Sequence, residues 1–209
     1  MKNTFIIFFF FCITGTAQLV PFEFDERYGY KDENGKIIIK AKYQQALEFL
    51  ETEIAAVVFK NKWWYINVKG KKLISPYIVD NGPDNFSEGL ARFGKDGKMG
   101  FFDHFGKKMI KAKLNYAEPF SGGFAQFNVG GTYQMEGEYN MLKGGKWGFI
   151  DRDGKVVVEA IYDYTGPFEK GIAWVKLGDK EYYIDASGKE IPKEKADSIL
   201  NTEEFIFPE

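Results

Sequence analysis

Short apolar runs punctuated by glycine, aspartate and lysine recur along the chain. The clearest stretch is Lys146–Lys155. In Trp147-Gly148-Phe149-Ile150 the two alternating sets, Trp147/Phe149 and Gly148/Ile150, point to opposite faces of a strand, and both are apolar. Such a strand must be covered on both sides. It ends at Asp151-Arg152-Asp153-Gly154. There the first aspartate can accept backbone N–H groups two residues on, and the glycine can take the left-handed conformation that closes a turn. A second strand, Val156-Val157-Val158, follows. In the next copy a strand also precedes the motif: Ile172–Leu177, ended by Gly178-Asp179, with Asp96-Gly97 as the counterpart turn. Each unit therefore reads as a three-stranded antiparallel meander.

The motif returns in worn form, beginning at Tyr28, Trp63, Met99, Trp147 and Glu181. These starts are spaced by 35, 36, 48 and 34 residues. A near-fixed period in this range marks a repeat array. A lone meander cannot cover both faces of its middle strand, whereas stacked neighbours can. The chain is thus predicted to be all-β: about five meander repeats stacked as an open, solenoid-like array, with a closed five-bladed propeller as the alternative. Leu19–Phe24, turned by Asp25-Glu26, supplies the first unit with its own first strand, which favours the open form. Trp147 is expected to be largely buried between units. Gly29, Gly100 and Gly148 are expected to let a neighbour's aromatic ring lie on bare backbone. Trp64 and Tyr182, which replace this glycine, are expected at looser or terminal positions.

Links between units also repeat. Pro167-Phe168-Glu169-Lys170-Gly171 compares with Phe86-Ser87-Glu88-Gly89 and Pro119-Phe120-Ser121-Gly122. The aromatic residue is expected to anchor the link, and the glycine to start the next strand where backbones come close. Phe49–Ile54 lacks glycine and is expected to be the most irregular link. Near the C-terminus, Lys193–Asn201 is predicted to be helical, with Ala196, Ile199 and Leu200 on one face. Pro192 suits the first turn. This helix is expected to cover the last sheet edge.

This grammar resembles the WG-repeat (KWG-repeat) family, whose units carry a Trp-Gly-Phe-Ile-Asp strand, Gly-Lys, an apolar strand, a tyrosine-bearing link and a Phe-x-x-Gly-x-Ala strand. Lys146–Gly171 matches nearly throughout, and the likeness extends over about residues 25–191. The resemblance implies an exported or surface-associated binding protein and brings no catalytic residues with it.

The first residues change the picture of where the chain works. Lys2 precedes an unbroken apolar run, Phe5–Ile13, too short to span a bilayer. Gly15-Thr16-Ala17 then offers small residues for cleavage. Residues 1–17 thus read as a signal peptide, 18–191 as the repeat domain and 192–209 as a tail with a capping helix. The expected location is periplasmic or extracellular. The one cysteine, Cys12, lies inside the signal, so the mature chain carries no disulfide, thiol nucleophile or cysteine-bound metal. No later apolar run reaches spanning length. A net charge of −2 gives no reason to expect nucleic acid as a partner.

Candidate chemistry is sparse. His104, the one histidine, sits in a turn and is expected to be solvated. The recurring aspartates have a turn-capping role that accounts for them. No catalytic residue, cofactor or metal is expected, and a glycosidase is the least favoured reading. The expected partner is a protein or, if exposed rings form a flat row, a cell-envelope glycan. The long third spacing places an insertion at Gly130–Gly145, where Tyr133/Met135 and Tyr139/Met141 alternate with polar residues around Gly137. It reads as a projecting hairpin. Tyr133, Glu136, Glu138 and Tyr139 are its candidate partner-contact residues, since inserted loops of repeat arrays tend to map to a binding face.

Overall fold

The structure, a computed structural model, describes residues 18–136 and 139–202. The predicted signal segment lies outside these residues.

Five antiparallel units follow one another along the chain. The first is Val20–Phe24, Arg27–Lys31 and Ile37–Tyr43. The second is Ile54–Val58, Trp63–Asn67 and Lys72–Ile74, and the third is Leu90–Lys95, Lys98–Asp103 and Lys108–Leu114. The fourth is Ala125–Val129, Lys146–Ile150 and Val156–Tyr162; the fifth is Ile172–Leu177, Lys180–Asp185 and Glu190–Ile191. From the second unit on, the incoming link adds a strand to the outer edge of the unit's first strand. Gln45–Ala46, Tyr116–Ala117 and Tyr164–Glu169 do so as short strands, and Pro76 as a single bridge to Phe93.

The predicted turn forms five times with one geometry. Asp151 Oδ1 accepts the N–H groups of Asp153 at 3.0 Å and Lys155 at 2.9 Å. Asp32, Asn67, Asp103 and Asp185 each do the same for the residues two and four positions on. The glycine of each turn is left-handed, from φ 71° at Gly70 to φ 81° at Gly188.

The apolar core is divided into four clusters, and each lies between consecutive units. Tyr30 and Ile39 meet Val57 and Ile66. Tyr65 and Ile74 meet Phe93 and Phe102. Phe101 and Ile110 meet Phe127 and Ile150. Phe149 and Val158 meet Val175 and Ile184. Alternation in each middle strand thus becomes division of labour. The residue in the Phe149 position faces the following unit, and the residue in the Ile150 position faces the preceding one. The turn glycine reinforces the stack: a side chain built on Gly154 would lie 2.8 Å from Ile110 of the unit before, and one on Gly106 would lie 2.7 Å from Leu73. Links stack too, Ser87 Oγ donating to the Phe120 carbonyl at 2.6 Å and Ser121 Oγ to that of Phe168 at 3.0 Å.

The ends are written into the same pattern. In the first unit the position that would face a preceding unit is held by Lys31, and nothing lies within 4 Å of the space above Gly35. These features belong to an open array. At the other end the helix Lys193–Leu200 buries Ala196 and packs on Lys180–Asp185. That strand is interior to its sheet, so the helix covers a face rather than the edge expected for it.

Several expectations are corrected. The bare backbone of Gly29, Gly100 and Gly148 receives no neighbour's ring. It faces the unit's own third strand, which bulges there: Trp147 pairs with Tyr162 but Phe149 with Val158. A side chain on Gly148 would lie 2.5 Å from the Val158 carbonyl and 2.7 Å from Ala160 N. Units with this glycine have third strands of 7 residues, whereas Trp64 and Tyr182 stand beside third strands of 3 and 2. Trp147 is only half-buried, at the rim of the last core and edge-on to Tyr116. His104 is not free in solvent but stacks on Phe86, with ring centroids 4.0 Å apart. The link glycines Gly89, Gly123 and Gly171 serve as left-handed turn residues at φ 80–86°, and the first link puts Glu53 there at φ 63°.

Candidate functional site

The array departs from its own rule between the first two strands of the fourth unit. A tight turn is replaced by an arm, Thr132–Glu136 paired with Tyr139–Lys143. Three left-handed glycines, Gly130, Gly144 and Gly145, redirect the chain at its root. Asn128, buried to 1% exposure, fixes that root. Its amide accepts from Gly131 N at 2.9 Å and donates to the Gly144 carbonyl at 3.2 Å. A side chain on Gly145 would collide with Asn128 and with the Gly131 backbone. A root held by buried hydrogen bonds and close backbone contacts presents its arm in a defined direction.

Behind the arm lies a polar network. Arg92 and Asp84, both about 95% buried, form a two-pronged pair, with Nε–Oδ2 at 2.8 Å and Nη2–Oδ1 at 3.0 Å. Arg92 Nη1 also donates to the Ala117 carbonyl at 3.0 Å and to Glu118 at 3.2 Å. Burial opposes the Arg92 charge, but the hydrogen bond and charge of Asp84 outweigh it and raise its pKa. Glu118 accepts the Tyr116 hydroxyl at 2.8 Å. Burial, and then this carboxylate, push the Tyr116 phenol up. Tyr116 in turn meets Tyr133 and Trp147 edge-on, at 6.1 Å and 5.9 Å.

Of the four residues singled out from sequence, Tyr133 and Glu136 lie on the first arm strand. Tyr133 is 46% exposed and braced on Tyr116. Glu136 pairs across the arm with Lys143 at 2.5 Å. The Tyr139 backbone opens the second strand opposite Glu136, while its side chain and Glu138 lie outside the described residues. Among the arm's described large apolar residues Met135 is the most exposed, at 69%.

Between the arm and the fifth unit runs a groove of about 460 Å³, floored by Met141, Leu142, Trp147 and Tyr164. The cations around it are already matched: Lys143 with Glu136, Lys146 with Asp163 at 2.6 Å, and Lys176 with Glu181 at 2.9 Å. Asp163 also accepts Gly178 N at 2.8 Å. An apolar floor within a neutralised rim suits an apolar or aromatic side chain better than an ion. The sequence reading missed this groove because Tyr164 and Lys176 come from the next unit. It also missed Arg92, although an arginine where other units carry Ala56, Gln126 or Trp174 was a visible signal.

The pattern of the WG containing repeat matches residues 28–63, 65–98, 99–133 and 147–180, more than half of the chain. The chain belongs to the WG-repeat family. Its match is interrupted between residues 133 and 147, so most of the arm falls outside the family pattern. No characterised protein matches the chain in sequence.

Proposed function

We propose that this WG-repeat protein is exported and acts without catalysis as a protein-interaction or envelope scaffold, with the arm and its groove as the contact surface. The observation that carries this reading is Met135, the most exposed of the arm's described large apolar residues, on an arm whose root is held by the hydrogen bonds of buried Asn128. Exposed methionine and tyrosine give a partner adaptable and broad apolar area at small entropic cost. A glycan site would favour coplanar rings, whereas Tyr116 crosses Tyr133 at 77° and Trp147 at 90°. Asp84 and Glu118 share Arg92 and hold equivalent places two residues before Phe86 and Phe120. Their shared guanidinium gives both acids a structural partner, which supports a non-catalytic reading.

The test places a photoreactive residue at Met135 and, separately, at Asn34 in a turn far along the array. Crosslinking in the native envelope is expected to give protein adducts of defined mass from position 135 that are absent from position 34. Identical adducts at both positions, or none at 135, would remove the arm as the contact surface. A variant lacking Thr132–Leu142 is expected to keep its melting temperature and lose those partners.

A further inference from the structure

The first unit lacks two things that every later unit has. Among the described residues its outward face has no neighbour and the outer edge of Val20–Phe24 has no strand beside it. In the register of the meander, Phe22 pairs with Gly29, as Phe93 pairs with Gly100 and Phe127 with Gly148. Phe93 and Phe127 are buried against the preceding unit, whereas Phe22 is half-exposed and Phe24 is 71% exposed. Val20 and Ile37 extend this apolar face, and Arg27 and Lys31 stand on it as cations that, among the described residues, have no carboxylate within 4 Å. An open edge beside an open apolar face is a template for an added strand.

Beyond Thr202, the last described residue, the chain continues Glu203-Glu204-Phe205-Ile206-Phe207-Pro208-Glu209. This segment alternates two phenylalanines about an isoleucine, is acidic at both ends and contains no cation. Its proline suits an edge strand, where one N–H is not needed. Fully extended, these seven residues reach about 25 Å. Four sheet spacings of about 10 Å separate the first sheet from the fifth, so the tail does not reach its own first unit. We infer that the C-terminal segment of one copy adds as a strand to Val20–Phe24 of another. Phe205 and Phe207 then lie on the Phe22/Phe24 face, and the flanking glutamates lie near Arg27 and Lys31. The contact joins unlike surfaces, so every copy carries one face and one tail and can extend a head-to-tail chain.

The chain is expressed from its full sequence and its mass followed by sedimentation across a wide concentration series. The wild type is expected to grow beyond a dimer with concentration. Phe24→Asp on the face, and Phe205→Asp with Phe207→Asp on the tail, are each expected to hold it monomeric. The tail variant lies outside the repeat array, so it remains informative if Phe24→Asp does not fold. Mixing the two variants leaves one intact face and one intact tail, and is expected to give a one-to-one pair and nothing larger. A wild type that stays monomeric, an assembly that survives the tail substitutions, or a mixture that does not pair would overturn the inference.

Discussion

Phe101 and Phe102 are consecutive, both fully buried, and belong to different cores. Phe101 packs with Phe120 and Ile150 toward the fourth unit, and Phe102 with Tyr65 and Phe93 toward the second. Each substitution to alanine is expected to cost about 3–5 kcal/mol. Hydrogen exchange separates the two. Phe101→Ala is expected to expose amides of the third and fourth units first, and Phe102→Ala those of the second and third. The same loss of protection in both variants would mean that the cores are not distinct.

Gly148 is required by the bulge of its own unit. Gly148→Ala drives a methyl into the Val158 carbonyl and the Ala160 amide, which are backbone and cannot rotate away. A loss of about 1–3 kcal/mol is expected in chemical denaturation. Gly94 is the control. Nothing lies within 4 Å of its added Cβ and its φ is ordinary, so Gly94→Ala is expected to stay within about 0.5 kcal/mol of the parent.

Arg92 and Asp84 form a buried pair whose single truncations strand a charge. Arg92→Met or Asp84→Leu alone is expected to cost about 3–5 kcal/mol, and the double variant much less than the sum. Additive losses in the double-mutant cycle would contradict a pairwise interaction.

Two sets of groups give opposite pH limits. The hydrogen bond from Lys146 and the Gly178 N–H hold the Asp163 carboxyl below its usual range, and Ser187 and the Lys189 N–H do the same for Asp185. Their folded values lie below the unfolded ones. Their contribution is therefore full above the ordinary carboxylate range and lost as pH falls through the depressed values. Burial, aided by Asp84, pushes the Tyr65 phenol from 10.0 to about 12. Burial, aided by Tyr182, does the same for Tyr162. That contribution is full below pH 10 and lost as pH rises toward 12. Thermal melts across pH are expected to fall on both sides. Tyr65→Phe is expected to flatten the alkaline limb and Asp163→Asn the acid one.

The repeat, the five turns and the terminal helix were legible because each depends on neighbours in sequence. Asp151 caps Asp153 and Lys155 within one turn. Even the open first unit was written in Lys31, at a position that holds isoleucine or phenylalanine in every later copy. The bulge facing Gly148 was not legible, since it depends on Val158 and Ala160 gaining extra residues against a partner strand. Nor was the exposure of Trp147, which is set by where Tyr116 and the arm stand. The arm was foreseen as a hairpin. Its groove was not, because Tyr164 and Lys176 reach it only once the fifth unit stacks on the fourth.

The units form an open stack in which each touches only its chain neighbours. Cys12 is the one cysteine of the sequence, so residues 18–209 accept spin labels at cysteines introduced in place of Asn34, Lys69 and Ser187. These are equivalent turn positions of the first, second and fifth units. The Asn34–Lys69 pair measures one unit step. The Asn34–Ser187 distance is predicted to be several times larger, about 40 Å for four sheet spacings. A first-to-fifth distance equal to the single step would mean a closed ring and would contradict the account.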